Sequence, residues 1–455
     1  RAARRERGLM GLCDLKAELS QLDLVDQGPL LQQLSHDQFS FSPLLTPRLQ
    51  PCCADLVVRA SSTAEVVQVA AACARHGVPL TPRGAGSGNY GQAVPLEGGV
   101  VLDTSAMQQV RQFDSSTGVL TAEPGCRLLE LDRWLQPQGW ALRLAPSTWR
   151  TASLGGFIAG GSSGVGSVRW GLLRDPGNLL GLEVVTVEPE PRVLQLDAAA
   201  ARGLNHAYGS NGIFTAVTVP TAPWQDWQEV ALVTQSAAAA LALGEQLTAA
   251  ALEIDGLCFL ERRLLERMPA LGSSPWPSGD ALLLLAAPAA LPLIENMAAA
   301  AGAQLCWQRP QWPPRGLLLR ELCWNHTTLQ LRANAPEFTY QLVLLPDPVG
   351  PFMEAIAERW PGWVHWHLER VRQGGRLRWV GLLPFQWRGE AALDELNGAL
   401  KAAGGLVFNA HAITVEDGGL GVVDADQVAA KRAYDPAGLC NPGKLRGWSS
   451  GAVEA

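Results

Sequence analysis

The stretch Thr81-Pro82-Arg83-Gly84-Ala85-Gly86-Ser87-Gly88-Asn89-Tyr90-Gly91 places four glycines among the eight residues that begin at Gly84. Glycine lacks Cβ and tolerates φ > 0, so successive backbone N–H groups can converge into a concave anion site. Arg83 adds a fixed positive charge beside it. Such a loop suits a phosphate or pyrophosphate, although by itself it reads equally well as a glycine-rich surface turn. It does not continue into a helix: Asn89-Tyr90-Gly91-Gln92 and Pro95 follow, and the next regular run is Gly99-Val100-Val101-Leu102-Asp103. A dinucleotide fingerprint of the Rossmann type needs its glycines to open a helix, so this tract is a phosphate cradle between strands.

Two further small-residue sites follow. Pro146 to Gly166 holds Ser147, Thr148, Thr151, Ser153, Leu154, Gly155, Gly156, Ala159 and Gly166. So many small residues would cost a core helix conformational entropy, and close approach to a flat ligand or another chain segment accounts for them. The hydroxyls of Ser147, Thr148, Thr151 and Ser153 can bind ligand oxygens. The third site, Tyr208-Gly209-Ser210-Asn211-Gly212-Ile213-Phe214-Thr215, leads into a strand at Ala216 to Pro220. Three sites in this order are more specific than any one alone.

The order Pro82 to Ser87, then Leu154-Gly155-Gly156, then Gly209 to Thr215 resembles the FAD-binding PCMH-type domain of the vanillyl-alcohol oxidase superfamily. Tyr434-Asp435-Pro436-Ala437-Gly438-Leu439-Cys440-Asn441-Pro442-Gly443-Lys444 resembles the segment by which such chains return to the flavin domain. Within the superfamily the chain is most similar to the glycolate oxidase FAD-binding subunit and related 2-hydroxy-acid oxidoreductases. The resemblance implies an α+β fold: two α+β subdomains enclosing FAD, and a C-terminal α+β cap over the isoalloxazine ring. It implies that Pro82, Arg83, Gly84, Ala85, Gly86, Ser87, Gly88, Asn89 and Gly91 hold the cofactor. The Pro146 to Gly166 residues named above, with Gly212, Ile213 and Asn441, complete that set. Members with covalently attached flavin carry His where this chain has Ser87, so non-covalent FAD is expected. Metal-assisted relatives pair Glu with His before the closing segment. Here His411 stands in Phe408-Asn409-Ala410-His411-Ala412 without an adjacent Glu, so no metal is expected.

The resemblance implies oxidation of a small 2-hydroxy acid, glycolate- or lactate-like, by hydride transfer to flavin N5. The alternative is an FAD-carrying electron-transfer subunit of a multi-subunit complex. Such a substrate needs a cation for its carboxylate and a base for its hydroxyl. Trp363 to Val380 offers both around a Gln-Gly-Gly turn, which reads as a hairpin. On a strand His365, His367 and Glu369 share one face, and Arg370 and Arg372 the other. His365, His367 and Arg378 are the candidates for substrate chemistry, set against the plain alternative of an exposed charged hairpin. His326, Arg320 and Arg332 lie in a run, Leu317 to Leu331, that fits a half-buried sheet.

The elements that position these sites are legible in outline. Asp55 to Arg59 reads as a strand, and Ser62 with Glu65 forms a capping-box pattern that opens a helix. Val66, Val69, Ala70 and Cys73 fall on one face, with Gly77 at the C-terminal cap. This β-α-β unit runs straight into the glycine tract. The expected organisation is a helical lead-in over 1–46, the FAD-binding domain over 47–225, a substrate or cap domain over 226–429 and a return segment over 430–455. Twelve of the sixteen tryptophans lie between 224 and 448, as ordinary core anchors or as walls of an apolar pocket.

Composition narrows the rest. With 455 residues, 47% hydrophobic and 17% charged, the chain has the profile of a soluble protein of two or three domains. A net charge of −7 without a basic stripe argues against nucleic-acid binding. The apolar run Ala281 to Ile294 is short for a membrane span and contains Pro288 and Pro292. Nine scattered cysteines without metal-ligand spacing point to free thiols and a cytoplasmic location.

Overall fold

The computed structural model describes residues 11–161, 163–268 and 275–448. Asp23–Val25 (β1), Leu56–Arg59 (β2), Leu80–Arg83 (β3) and Val100–Asp103 (β4) form a four-stranded sheet in the order β1-β2-β4-β3. β2 and β3 both pair with β4 in parallel, while β1 pairs antiparallel with β2. The helix Thr63–His76 makes the crossover from β2 to β3. It starts because Ser62 Oγ accepts the Glu65 N–H at 3.3 Å, while Glu65 reaches back to the N–H of Ser61. It stops at Gly77, whose φ of 62° places it in the left-handed region. Val66, Val69, Ala70 and Cys73 are fully buried on the face toward the sheet. Because β3 ends at Arg83, the glycine tract leaves the sheet at the carboxyl end of a parallel strand, where ligands of open α/β layers gather.

Val110–Asp114 (β5), Val119–Ala122 (β6), Trp140–Leu142 (β7), Gly181–Val185 (β8), Val193–Asp197 (β9) and Ile213–Pro223 (β10) make a six-stranded sheet. β10 is its spine, pairing with β6, β7 and β8 along different parts of its length.

The third sheet has eight strands, all paired antiparallel: Gln228–Thr234 (β11), Ile254–Leu260 (β12), Asp280–Ala286 (β13), Gln304–Pro310 (β14), Phe338–Leu344 (β15), His367–Gln373 (β16), Arg376–Gln386 (β17) and Leu406–Phe408 (β18). Their order is β14-β11-β13-β12-β16-β17-β15-β18. Period-two alternation divides its labour. Val343 and Leu383 pack with Leu243, Phe352 and Leu396 of the covering helices in one buried cluster. Their neighbours Leu342, Leu344 and Leu382 turn to the other side, toward the first two sheets.

The lead-in is not purely helical. β1 lies within it, and Phe39 to Ser42 is sewn onto the third sheet. Arg332 Nη1 and Thr339 Oγ1 both donate to Phe41 O, and Ser42 Oγ lies 2.7 Å from His411 Nδ1. The C-terminal segment docks on β3: Leu80 N–H donates to Leu439 O, Asn441 N–H donates to Leu80 O, and Cys440 bridges Leu80 in parallel. Lys431, 2% exposed in its side chain, anchors that return by donating to Ser210 O, Asp435 Oδ2 and Cys440 O.

Two local expectations change. Leu317 to Leu331 is not strand: Leu319–Leu322 and His326–Arg332 are helices. Thr327, Thr328 and Leu331 bury at helical spacing, and Thr327 returns its hydroxyl to Leu322 O, so β-branched residues sit in helix without orphaned backbone. The small-residue tract likewise contains a helix, Leu154–Gly160, whose first turn approaches Pro124 too closely for a side chain at Gly155.

Candidate functional site

Beyond β3 the glycine tract floors a narrow cleft of about 100 Å³. Pro82 to Gly88 form one wall, Ser153, Gly155, Gly156 and Ala159 the second, and Gly209, Gly212 and Ile213 the third. Ser153 stands at the N-cap position of the helix behind it, and its Oγ accepts the Ala85 N–H at 3.2 Å rather than an N–H of that helix. A Cβ on Gly84 would lie 2.2 Å from that same oxygen, so a side chain there would drive the Ser153 hydroxyl off the Ala85 N–H. Arg83 is 8% exposed, folds back over Gly86 and donates to His36 O at 2.8 Å.

Asp37, also on this cleft, is a participant that the sequence did not single out. Its carboxylate accepts the N–H groups of Phe39 at 3.1 Å and Ala93 at 3.3 Å. Burial raises its pKa to about 6 against the opposing pull of those N–H groups, Lys444 and Arg83. Burial in turn brings Lys444 down to about 8, with Asp37 opposing. Lys444 donates to Gly91 O at 2.5 Å and so fixes the end of the glycine tract.

The cleft opens into a cavity of about 590 Å³ between the first two sheets and the third. Ser87, Gly88, Gln92, Gly156, Gly160 and Tyr208 line both, so the two form one trough. Asn89, Pro146, Ser147 and Thr148 join the wall in the wider part. Opposite stand Leu342, Leu344, Val371, Val380 and Leu382 of the third sheet. Tyr90 lines this cavity, and its hydroxyl lies 2.5 Å from Tyr340 Oη, which also receives Asn89 Nδ2–H at 3.4 Å. Burial pushes both phenols up, so both keep their protons. His206 lines the cavity too; burial, helped by Arg174, lowers it to about 4 and keeps the ring neutral.

Among the described residues the non-glycine positions with positive φ are His206 (60°), Tyr208 (55°), Trp324 (59°) and Asn441 (41°). The first three line the cavity, and Asn441 Nδ2 holds Tyr208 O at 2.6 Å. Such conformations cost about 1–3 kcal/mol each and collect where a ligand site dictates backbone shape.

Several expected cofactor residues stand back from the trough. Gly91, Thr151, Leu154, Gly166 and Asn441 line neither part. Asn441 supports it through Gln92 O and Tyr208 O. Gly166 is a packing glycine whose N–H donates to Asp255 O and whose Cβ would strike Arg143 O.

The hairpin forms as expected, with Gly374 and Gly375 in its turn, but His365, His367 and Arg378 do not reach the cavity. His365 is bound to Glu261 and packs against the Phe338 ring, outside the cavity lining. His367 is wholly buried against Glu369 at 2.8 Å, and Arg378 donates to Leu345 O at 3.0 Å. Residues nearer the turn, Val371, Gln373 and Val380, face the cavity instead.

Cys258, His367 and Glu369 present atoms within 4.8 Å of one another and are the set of described residues that could hold a metal. Glu369 already accepts from His367 and from Trp324 N–H at 2.6 Å. Against the penalty of burial, Cys258 and Glu369 push His367 up to about 9, which makes this a closed ionic knot. Both ring nitrogens of His411 are engaged, by Ser42 Oγ and by Tyr340 O.

Residues 54–195 match the family described as FAD binding domain. The chain carries an FAD-binding domain. The walls fit that assignment: the glycine cleft continues into the wider cavity as an elongated cofactor requires. The chain is 32% identical over 136 residues to the mitochondrial D-2-hydroxyglutarate dehydrogenase of Rattus norvegicus, covering 30% of this chain and 25% of that protein. It is 33% identical over 140 residues to the glycolate oxidase subunit GlcD of Bacillus subtilis, covering 31% of this chain and 29% of that one. The matches thus span less than a third of either relative. Over the whole fold, a solved structure of alkyldihydroxyacetonephosphate synthase superposes with a TM-score of 0.72 at 16% identity, covering 94% of this chain and 85% of that chain. That likeness concerns the fold, which is α+β with a third sheet over the FAD-binding domain. Among the described residues no helix is long and apolar enough to cross a membrane.

Proposed function

We propose that this protein is an FAD-dependent oxidoreductase that removes hydride from the carbinol carbon of a 2-hydroxy acid. The observation that carries the reading is the continuous trough, phosphate-sized at the glycine tract and wide enough against the third sheet for a flavin ring and a substrate. Bound there, the flavin would supply the hydride acceptor. Pro82 to Gly88, with Ser153, Gly155 and Gly156, would hold its pyrophosphate. Ser147 and Thr148 would stand beside its ring.

The protein's own side chains then have three tasks. Asn89 donates to Tyr340, Tyr340 can donate to Tyr90, and Tyr90 is left with its proton for the substrate oxygen. His206, held neutral, can accept the hydroxyl proton as hydride departs. A base of pKa about 4 suffices because the protonated carbonyl product is a far stronger acid. The aliphatic wall of the third sheet excludes water from the reacting carbon. Two electrons and one proton leave as hydride, the second proton goes to His206, and a 2-oxo acid remains.

A cytoplasmic setting agrees with nine free cysteines. Anaerobic mixing with racemic 2-hydroxy acids tests the reading: flavin absorbance is expected to bleach with release of a 2-oxo acid. Loss of the reading would follow if no hydroxy acid bleached the flavin while dithionite did.

A further inference from the structure

The cavity carries information about the substrate's other end. Its sheet wall is built from facing aliphatic pairs: Leu342 stands opposite Leu382, and Leu344 opposite Val380, in the β15–β17 register. Nothing charged interrupts that wall. At the mouth, Leu420, Val422 and Val423 also line the cavity, yet they are 58%, 71% and 45% exposed. Large apolar side chains this open to water are costly unless a ligand or partner covers them. Among the described lining residues the one Lys or Arg is Arg174, which is already paired with Asp424 at 2.7 Å. An acid with a second carboxylate would call for a further cation along this wall, and glycolate, with no side chain, would leave its aliphatic pairs unused.

We infer that the substrate is a 2-hydroxy acid bearing an extended apolar side chain, which lies along β15 and β17 and leaves past Leu420 to Val423. The inference rests on the oxidoreductase reading and names its substrate class. Each methylene moved from water into such a site is worth about a factor of four. The five methylenes that separate lactate from 2-hydroxyoctanoate therefore correspond to about three orders of magnitude at full burial. Partial exposure at the mouth lowers the expectation to about a hundredfold.

The test measures anaerobic flavin reduction of the whole holoprotein by glycolate, lactate, 2-hydroxyglutarate and 2-hydroxyoctanoate. The expected result is a kcat/KM for 2-hydroxyoctanoate at least a hundredfold above that for lactate, and glycolate and 2-hydroxyglutarate no better than lactate. Glycolate or 2-hydroxyglutarate equalling 2-hydroxyoctanoate would overturn the inference while leaving the oxidoreductase reading intact. If none of the four bleaches the flavin, titration of the oxidised protein with octanoate and acetate still decides it. Flavin difference spectra should give octanoate a Kd at least a hundredfold below that of acetate, and equal values would sink the apolar channel. Val422→Asp alters only an exposed position, so folding is preserved. It should cut the octanoate-to-acetate affinity ratio about tenfold; an unchanged ratio would mean that the exposed lip serves some other occupant.

Discussion

Tyr90 Oη and Tyr340 Oη lie 2.5 Å apart although their residues are separated by 250 positions. The first closes the glycine tract and the second sits in β15, so one hydrogen bond joins the cofactor loop to the sheet that faces it. Tyr340 is completely buried, and Phe41 packs edge-on against its ring with centroids 4.8 Å apart. The pair holds a hydroxyl at a fixed place beside the aliphatic wall of the third sheet.

Tyr90→Phe removes that hydroxyl and keeps the ring. Tyr340 remains hydrogen-bonded to Asn89, so folding and FAD content should change little. A donor to the developing product oxygen is worth about 10²-fold in rate. Stopped-flow flavin reduction should therefore slow by about 10- to 100-fold, with KM changed less than threefold. An unchanged rate would remove Tyr90 from the chemistry.

Gly84→Ala tests the cleft. Its Cβ would meet Ser153 Oγ at 2.2 Å, and the serine can escape only by giving up the Ala85 N–H. One lost hydrogen bond costs about 1–2 kcal/mol, or about tenfold in FAD Kd. Ser153→Ala should cost a similar amount alone. The double variant should fall short of the sum, because removing the hydroxyl also removes the clash. Fluorescence titration of apoprotein with FAD measures all three.

FAD affinity should depend on pH through Asp37. Its folded pKa stands raised at about 6, and a pyrophosphate dianion in the same cleft raises it further. FAD binding therefore takes up a proton, and affinity weakens as pH rises through about 6 toward neutrality. The same sign applies to stability: a carboxyl whose folded pKa is raised opposes folding increasingly between its unfolded value near 3.8 and about 6. Asp37→Asn should flatten the FAD Kd between pH 5 and 7.5 and tighten binding at the upper end. A pH-dependence that survives the substitution would assign it to another group.

How much of this was readable from sequence depends on the range of the interaction. The glycine tract, the Ser62 cap and the Gly77 stop are local: each is dictated by the backbone conformation of residues within a few positions. The Val371-Gln373 arm was readable as a hairpin from its Gly374-Gly375 turn, but not which of its residues meet the cavity. Alternation puts His367 and Val371 on the same face, and only the third dimension shows that His367 ends against Glu369. Asp37 was invisible because its meaning comes from Ala93, Arg83 and Lys444, brought together by docking of both chain ends. Leu317 to Leu331 misled because apolar spacing fits strand and helix alike over so short a run.

Ser87 stands where the trough widens, with its hydroxyl 3.5 Å from Thr148 Oγ1. A serine there forms no bond to the flavin ring, so acid precipitation should release all yellow colour to the supernatant. Colour kept in the pellet would require a covalent link through another side chain.

The last prediction concerns the C-terminal clasp. Lys431 and Asp435 form an ion pair at 2.6 Å with side chains 2% and 0% exposed, one helical turn apart. Burial raises the Asp435 carboxyl, against the pull of Lys431 and two N–H groups. Such a pair contributes little over an apolar replacement, but removing one partner strands the other, at a cost of about 3–5 kcal/mol. Lys431→Met should therefore lower Tm by roughly 3–5 °C, by the usual relation between unfolding entropy and ΔΔG. It should also loosen FAD, because Ser210 O and Cys440 O lose the ammonium that draws the return segment against the third glycine site. Lys431→Met with Asp435→Leu leaves no buried charge and should recover most of the Tm. FAD affinity should stay reduced in that pair of substitutions, because the lost tethers to Ser210 and Cys440 are not restored. Recovery of both properties together would mean that the clasp acts on stability alone.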